Sequence, residues 1–164
     1  MRTAHLRIGT AALVGAALWC LPGVARATLG GNAATISANE QHLGAKRTVQ
    51  PLATSGSGQR HELRLPSGAV VHEYLSAKGT VYAISWRGLQ SPNLSELLGT
   101  YFAQLSTPAA QAARHRNGHH HVALNSSDLV VQASGHNHHF SGRAWVRSLL
   151  PAGVSPETFI EAGK

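Results

Sequence analysis

The chain has 164 residues, 43% of them hydrophobic and 13% charged, with 14 basic against 7 acidic side chains and a formal net charge of +7. That length suits one domain, one cysteine excludes an intrachain disulfide framework, and seven carboxylates leave little material for a catalytic dyad. The basic residues fall singly, with few aromatics among them, unlike the stripe of a nucleic-acid site, so no nucleic-acid partner is expected.

The first 27 residues read as an address. Arg2 and Arg7 form a basic start, Ile8 to Val24 is an apolar run without a charge, and Ala25-Arg26-Ala27 fits the small-x-small rule for a signal peptidase. Cleavage near Ala27 would deliver the chain to the periplasm or beyond it, with the membrane met only during export. The apolar run is short for a span of about 20 residues, and Trp19 before Cys20 is the wrong residue for a lipoprotein site. The exported part keeps eleven basic and seven acidic residues, a formal charge of +4, and ten of the eleven histidines.

Residues 28–60 are rich in small and polar types and read as a flexible lead-in. Residues 39–43 offer a turn of helix, and Thr54-Ser55-Gly56-Ser57-Gly58-Gln59 reads as a linker. The ordered domain, 61–164, is expected to start near His61. Pro66-Ser67-Gly68 and Ala77-Lys78-Gly79 each suit a three-residue hairpin loop, with glycine in the left-handed closing position. Loops of that length set Glu62 against His72 and His61 against Glu73; a loop one residue longer would oppose Glu62 to Glu73. The same register places Val70, His72 and Tyr74 on one face with Tyr82, Ile84 and Trp86. Leu63, Leu65, Val71, Leu75, Val81 and Ala83 fall on the other, so both faces are partly apolar and a sheet covered on both sides is expected.

A helix over 92–105 follows. Ser91-Pro92, and Asn93 with Glu96, supply start signals, and Leu94, Leu97, Leu98, Tyr101, Phe102 and Leu105 form one apolar stripe. A His-rich loop over 106–121 leads to strands at 122–124 and 129–133, a turn at Ser134-Gly135, and a last strand from about His139 to Val146. There Trp145, Arg143 and Ser141 share a face. Leu149, Leu150, Pro151 and Val154 are expected to seal a core edge, and Ser155-Pro156-Glu157 to open a short terminal helix carrying Phe159 and Ile160. The fold class is α+β: a small antiparallel sheet of two consecutive hairpins plus a later one, with one amphipathic helix packed on it.

Several runs resemble a family of short exported bacterial proteins, domain of unknown function 2844. They are Leu65 to Tyr74 (LPSGAVVHEY), Gly79 to Trp86 (GTVYAISW), Leu97 to Phe102 (LLGTYF), Phe140 to Trp145 (FSGRAW) and Leu149 to Val154 (LPAGV after a first leucine). With the Thr28-Leu29-Gly30-Gly31 start, the resemblance covers about Ala27 to Val154. It implies export and a shared fold, and carries no activity or catalytic residue. The histidines at 119–121 and at 138 and 139 fall outside the family pattern.

His115, His119, His120, His121, His136, His138 and His139 lie within 25 positions, and imidazole suits Zn, Cu or Ni. These are the candidate metal ligands. Against them, adjacent histidines on an extended chain point apart, and no carboxylate within the cluster orients the rings; a solvated polar loop is the alternative. His61-Glu62 and His72-Glu73 begin like the H-E-x-x-H zinc signature, but Leu65 and Ser76 stand where the second histidine belongs. Cross-strand ion pairs are the expected role of these four residues. No nucleophile elbow, phosphate loop or C-x-x-C is present, so no catalytic or cofactor-binding residue is assigned and enzymatic activity is not expected. The sequence therefore points to an exported, non-enzymatic binding or envelope-associated structural module, with an envelope protein as partner. The alternatives are a periplasmic metal-binding or metal-buffering protein and, third, an unrecognised hydrolase.

Overall fold

The computed structural model describes residues 28–52, 58–107 and 121–159. The expected leader and most of the His-rich loop lie outside them. Seven strands form one antiparallel sheet: β1 (Lys46–Pro51), β2 (Gln59–Arg64), β3 (Val70–Leu75), β4 (Val81–Gly88), β5 (His121–Asn125), β6 (Leu129–His136) and β7 (His139–Val146). Their spatial order is β1-β2-β3-β4-β7-β6-β5. Three helices accompany them: α1 (Ala33–His42), α2 (Leu94–Leu98) and α3 (Phe102–Leu105), the last two separated by a 3-10 turn at Gly99–Tyr101. The class is α+β, on a larger sheet than the sequence suggested.

Local chemistry sets the first reversals. The Gly68 amide donates to the Leu65 carbonyl (3.0 Å) and the Leu65 amide to the Ala69 carbonyl (2.8 Å). Gly68 sits at φ 81°, a conformation that glycine adopts without the steric cost of a Cβ. The Ser76–Thr80 reversal closes in the same way, with Gly79 donating to Ser76. Glu62 thus lies opposite His72, and His61 opposite Glu73.

One strand over, the register departs from expectation. Leu75 pairs with Val81, but Tyr74 pairs with Ala83, with a shift between the two pairs. Tyr82 is the extra residue of a β-bulge, which turns two successive side chains to one face. Val71 therefore pairs with Trp86 and Glu73 with Ile84. Ile84 and Trp86 fall on the face opposite Tyr74 and Tyr82, which corrects the division of faces read from strict alternation.

The face carrying Leu63, Val71, Leu75, Val81, Ile84, Trp86, Val131, Ala144 and Val146 is buried beneath Leu29, Ile36, Leu97, Leu98 and Leu105. Burying each Leu or Ile there contributes about 1.5–3 kcal/mol. Trp86 lies so close over β7 that a Cβ at Gly142 would come within 2.3 Å of its ring. Glycine here makes room for the largest side chain of the core.

The segment 28–60, expected as a flexible lead-in, contributes α1, β1 and the start of β2, so the domain does not begin near His61. Asn32 caps α1, its Oδ1 accepting from the Ala34 (2.9 Å) and Thr35 (3.2 Å) amides, while Thr35 accepts in return from the Asn32 amide. The Gly30 amide donates to Val81 and the Val81 amide to Gly31, so the capped helix hangs from the start of β4. Ile36 buries fully beneath it. Composition hid this because α1 presents a single buried apolar residue.

The helix expected over 92–105 is broken. Gly99, at φ 51° and ψ −124°, ends α2, and the chain restarts through the 3-10 turn, so the apolar stripe is delivered by two short pieces. The β6–β7 turn falls at Asn137 and His138, both with positive φ, three residues later than Ser134-Gly135. A type I′-like two-residue turn matches the sheet's twist and extends β6 to His136, while β7 spans His139–Val146 as expected.

At one end of the other face, Tyr74, Tyr82, Ala83, Val130 and Trp145 form a second cluster, closed by Leu52, Leu149, Leu150 and Val154. A 3-10 turn at Pro156–Phe159 stands where the short terminal helix was expected; Ile160 lies outside the described residues. Among the described residues, this closing segment is what crosses that face; the rest, the open face, carries no helix, although Val70, His72 and Ser85 on it are buried.

Candidate functional site

The strand positions of the open face follow from the ladder. One row runs Lys46, Arg64, Val70, Arg87, Ser141, Ser134, His121. The next runs Thr48, Glu62, His72, Ser85, Arg143, Gln132, Ala123, and the third Gln50, Arg60, Tyr74, Ala83, Trp145, Val130, Asn125. Lys46, Arg60, Arg64, Arg87 and Arg143 thus share one surface, on which Glu62 is the single carboxylate at a described strand position. The sequence reading saw these cations as scattered. The even spacing of Arg60 and Arg64, four residues apart along β2, is visible in the sequence, but the alignment with β1, β4 and β7 comes from long-range pairing.

Polar contacts hold this surface in shape. Glu62 accepts from His72 Nε2 at 3.0 Å and from Arg64 at 2.6 Å. Arg60 bonds Gln50. Arg143 donates to Gln132 (2.8 Å) and lies 5.4 Å from the Trp145 ring centre, a cation–π arrangement. Tyr74 and Ser85 pair through their hydroxyls at 3.4 Å. The hydrogen bond from His72, with Arg64 and Arg60 nearby, holds the Glu62 carboxyl below the usual carboxylate range, against the opposing effect of burial. Burial lowers His72, opposed by its bond to Glu62. At neutral pH the contact is therefore a carboxylate accepting from a neutral imidazole whose proton sits on Nε2.

The reciprocal residues, His61 and Glu73, face the helices. Glu73 is fully buried and His61 nearly so. Both Glu73 oxygens, His61 Nδ1 and Asn39 Nδ2 have no hydrogen-bond partner. Burial pushes the Glu73 carboxyl up to about 8, with Arg47 opposing; burial and Arg47 lower His61, with Glu40 opposing. Both groups are neutral at pH 7, so the expected ion pair does not form on this side. Arg47 is instead bonded to Glu40 (3.0 Å) and Ser37 (3.1 Å) on α1.

At the far end of the open face, between the β2–β3 loop and the β6–β7 turn, is a cavity of about 440 Å³ lined by Val70, Arg87, His139, Phe140 and Ser141 with Leu89 at its side.

Of the candidate metal ligands, His115, His119 and His120 lie outside the described residues. His121 starts β5 opposite Ser134, while His136 and His139 are the last partners of the β6–β7 ladder, with His138 in the turn between them. His121, His136 and His139 fall on the open face by strand alternation. Among the described residues no three metal-binding side chains gather around one point.

These features define an α+β domain with one sheet face covered by helices and the other basic and organised by a carboxylate–imidazole contact. The chain matches the model of DUF2844, a protein family of unknown function, over residues 25–159, and it belongs to that family. No curated protein and no solved structure matches it.

Proposed function

We propose that this is an exported, non-enzymatic binding module whose open sheet face docks an acidic surface of an envelope protein. The supporting observation is the collection of Lys46, Arg60, Arg64, Arg87 and Arg143 around the lone carboxylate Glu62 on one face. Guanidinium groups suit bidentate contacts with carboxylates, and like charges massed on one surface favour and steer an oppositely charged partner. The side chains that would serve catalysis are otherwise engaged: His72 Nε2 donates to Glu62, and Ser85 pairs with Tyr74. Export rests on the leader read in residues 1–27.

Two measurements test this reading. Mass analysis of the protein recovered from the periplasm or medium of its own cells should give a chain that starts at Thr28; a full-length chain confined to the cytoplasm would refute export. Poly-L-glutamate, as an acidic model surface, should bind the mature chain at low salt. Binding should weaken at least tenfold in the combined Arg60→Gln, Arg64→Gln, Arg143→Gln variant, and an unchanged affinity would refute the docking face.

A second reading, metal binding, is favoured by one placement. His136 and His139 are cross-strand partners, and directly opposed side chains have Cβ atoms about 4.5–5.5 Å apart, close enough for two imidazoles to share Zn, Cu or Ni. Elemental analysis of untagged protein, purified without a metal resin, should find a stoichiometric ion on this reading, lost on replacing both residues by alanine.

A further inference from the structure

We propose that the cavity at the end of the open face is a binding site for a small organic anion with an apolar body, of the size and kind of an arylalkyl carboxylate. The proposal goes beyond the docking face, with which it shares Arg87 but not the class of partner.

The lining divides into two chemistries. Val70 and Leu89 supply apolar wall, while Arg87, His139 and Ser141 supply a permanent cation, an imidazole and a hydroxyl. Gly68 and Gly88 complete the lining without side chains that would fill it. The volume, about 440 Å³, lies within the range of small-ligand pockets, roughly 300–1,000 Å³.

Three further features make this a site and not a crease. Leu89 is 59% exposed, one of two large apolar side chains so exposed among the described residues. It stands at the cavity, where a ligand's apolar body would cover it. The walls are rigidly placed: Val70, Arg87 and Ser141 are successive partners across β3, β4 and β7. The charge is one-sided too, since no carboxylate lines the cavity.

An anionic group would meet the Arg87 guanidinium with the Ser141 hydroxyl and His139 ring as additional donors, and the body would lie against Leu89 and Val70. A neutral ligand of the same shape would gain the apolar contacts without the charge-assisted hydrogen bonds, which are roughly twice as strong as neutral ones.

Calorimetric titration of the mature chain with phenylacetate and with its uncharged amide, phenylacetamide, tests the proposal. Saturable one-to-one binding of phenylacetate is expected, with the amide at least tenfold weaker. Arg87→Gln should erase the difference between the two. Ser141→Phe, which keeps Arg87 and fills the cavity from an exposed strand position, should block both. Lys78→Gln, in the exposed Ser76–Thr80 reversal at the other end of β3, should leave both affinities unchanged. No saturable binding of phenylacetate, equal binding of acid and amide, or full binding by the Ser141→Phe variant would each overturn the site. Failure here leaves poly-L-glutamate binding through Arg60, Arg64 and Arg143 untouched, so the two readings fail separately.

Discussion

Two pairs of identical composition sit side by side in β2 and β3 and end in opposite states. Glu62 and His72 face the open side, where the carboxylate is ionised and accepts the imidazole proton at 3.0 Å. His61 and Glu73, each one residue away, face the helices and make no bond to each other. Strand alternation alone separates them. On the open side, the His72 hydrogen bond and the nearby Arg64 and Arg60 keep Glu62 charged against the effect of burial. On the sealed side, removal from water favours the uncharged forms of both groups, and neutral partners lack the Coulomb attraction that would draw them together. The side of the sheet, and not the residue type, decides whether an acid and an imidazole form a functional contact.

The largest expected effect breaks the sealed pair by pH. The Glu73 carboxyl rises from 4.5 in the unfolded chain to about 8 in the fold, so its stabilising protonated state is complete below pH 4.5 and lost as pH rises through 8. Above pH 6.5 the unfolding free energy should fall, with a slope approaching about 1.4 kcal/mol per pH unit from this group. Urea unfolding at pH 6.5, 7.25 and 8 reads this slope, and Glu73→Gln should flatten it. His61 and His72, both lowered, act in the other direction: their contribution is lost as pH falls below 6.5. A stability maximum near neutral pH should move upward in the Glu73→Gln variant.

Next in size is the open pair. Glu62→Ala leaves the His72 Nε2 proton without its acceptor at a nearly buried position, which should cost about 1–3 kcal/mol at pH 7 by urea unfolding. A loss below about 0.3 kcal/mol would mean that water replaces the carboxylate without penalty.

Double-mutant cycles sharpen the contrast. The Glu62–His72 cycle should return a coupling of about 1 kcal/mol, and the His61–Glu73 cycle at pH 6.5 a value near zero. Equal couplings would show that the sealed pair interacts after all. The smallest effect lies at the rim: Arg64 is 62% exposed at its side chain, so Arg64→Gln should change stability by no more than about 0.5 kcal/mol. Thermal unfolding compared with binding of poly-L-glutamate then separates a residue kept for docking from one kept for folding.

The opposition of Glu62 and His72 was legible because Pro66, Ser67 and Gly68 dictate a short reversal locally, and a longer loop would oppose two carboxylates. The two faces were harder to read. Strict alternation put Ile84 and Trp86 with Tyr74, whereas the bulge at Tyr82 moves them to the sealed side, beneath Leu97 and Leu98. No local signal marks that bulge. It is stabilised from afar, where Trp86 settles over Gly142 in β7 and Tyr82 joins Trp145 in the second cluster. Similarly, Arg143 and Arg60 looked unrelated at a separation of more than eighty positions until β7 was inserted beside β4.

By itself the sequence determined what local chemistry can encode: the α+β class, the tight turns, the apolar stripe of Leu94 to Leu105, and the resemblance to the family to which the chain belongs. Tertiary structure alone decided which face is sealed, that Glu73 is neutral while Glu62 is charged, and that five separate cations form one surface. The physical reason is that turn preference depends on a few adjacent dihedrals, whereas burial and charge state depend on which distant strands and helices exclude water from a given side chain.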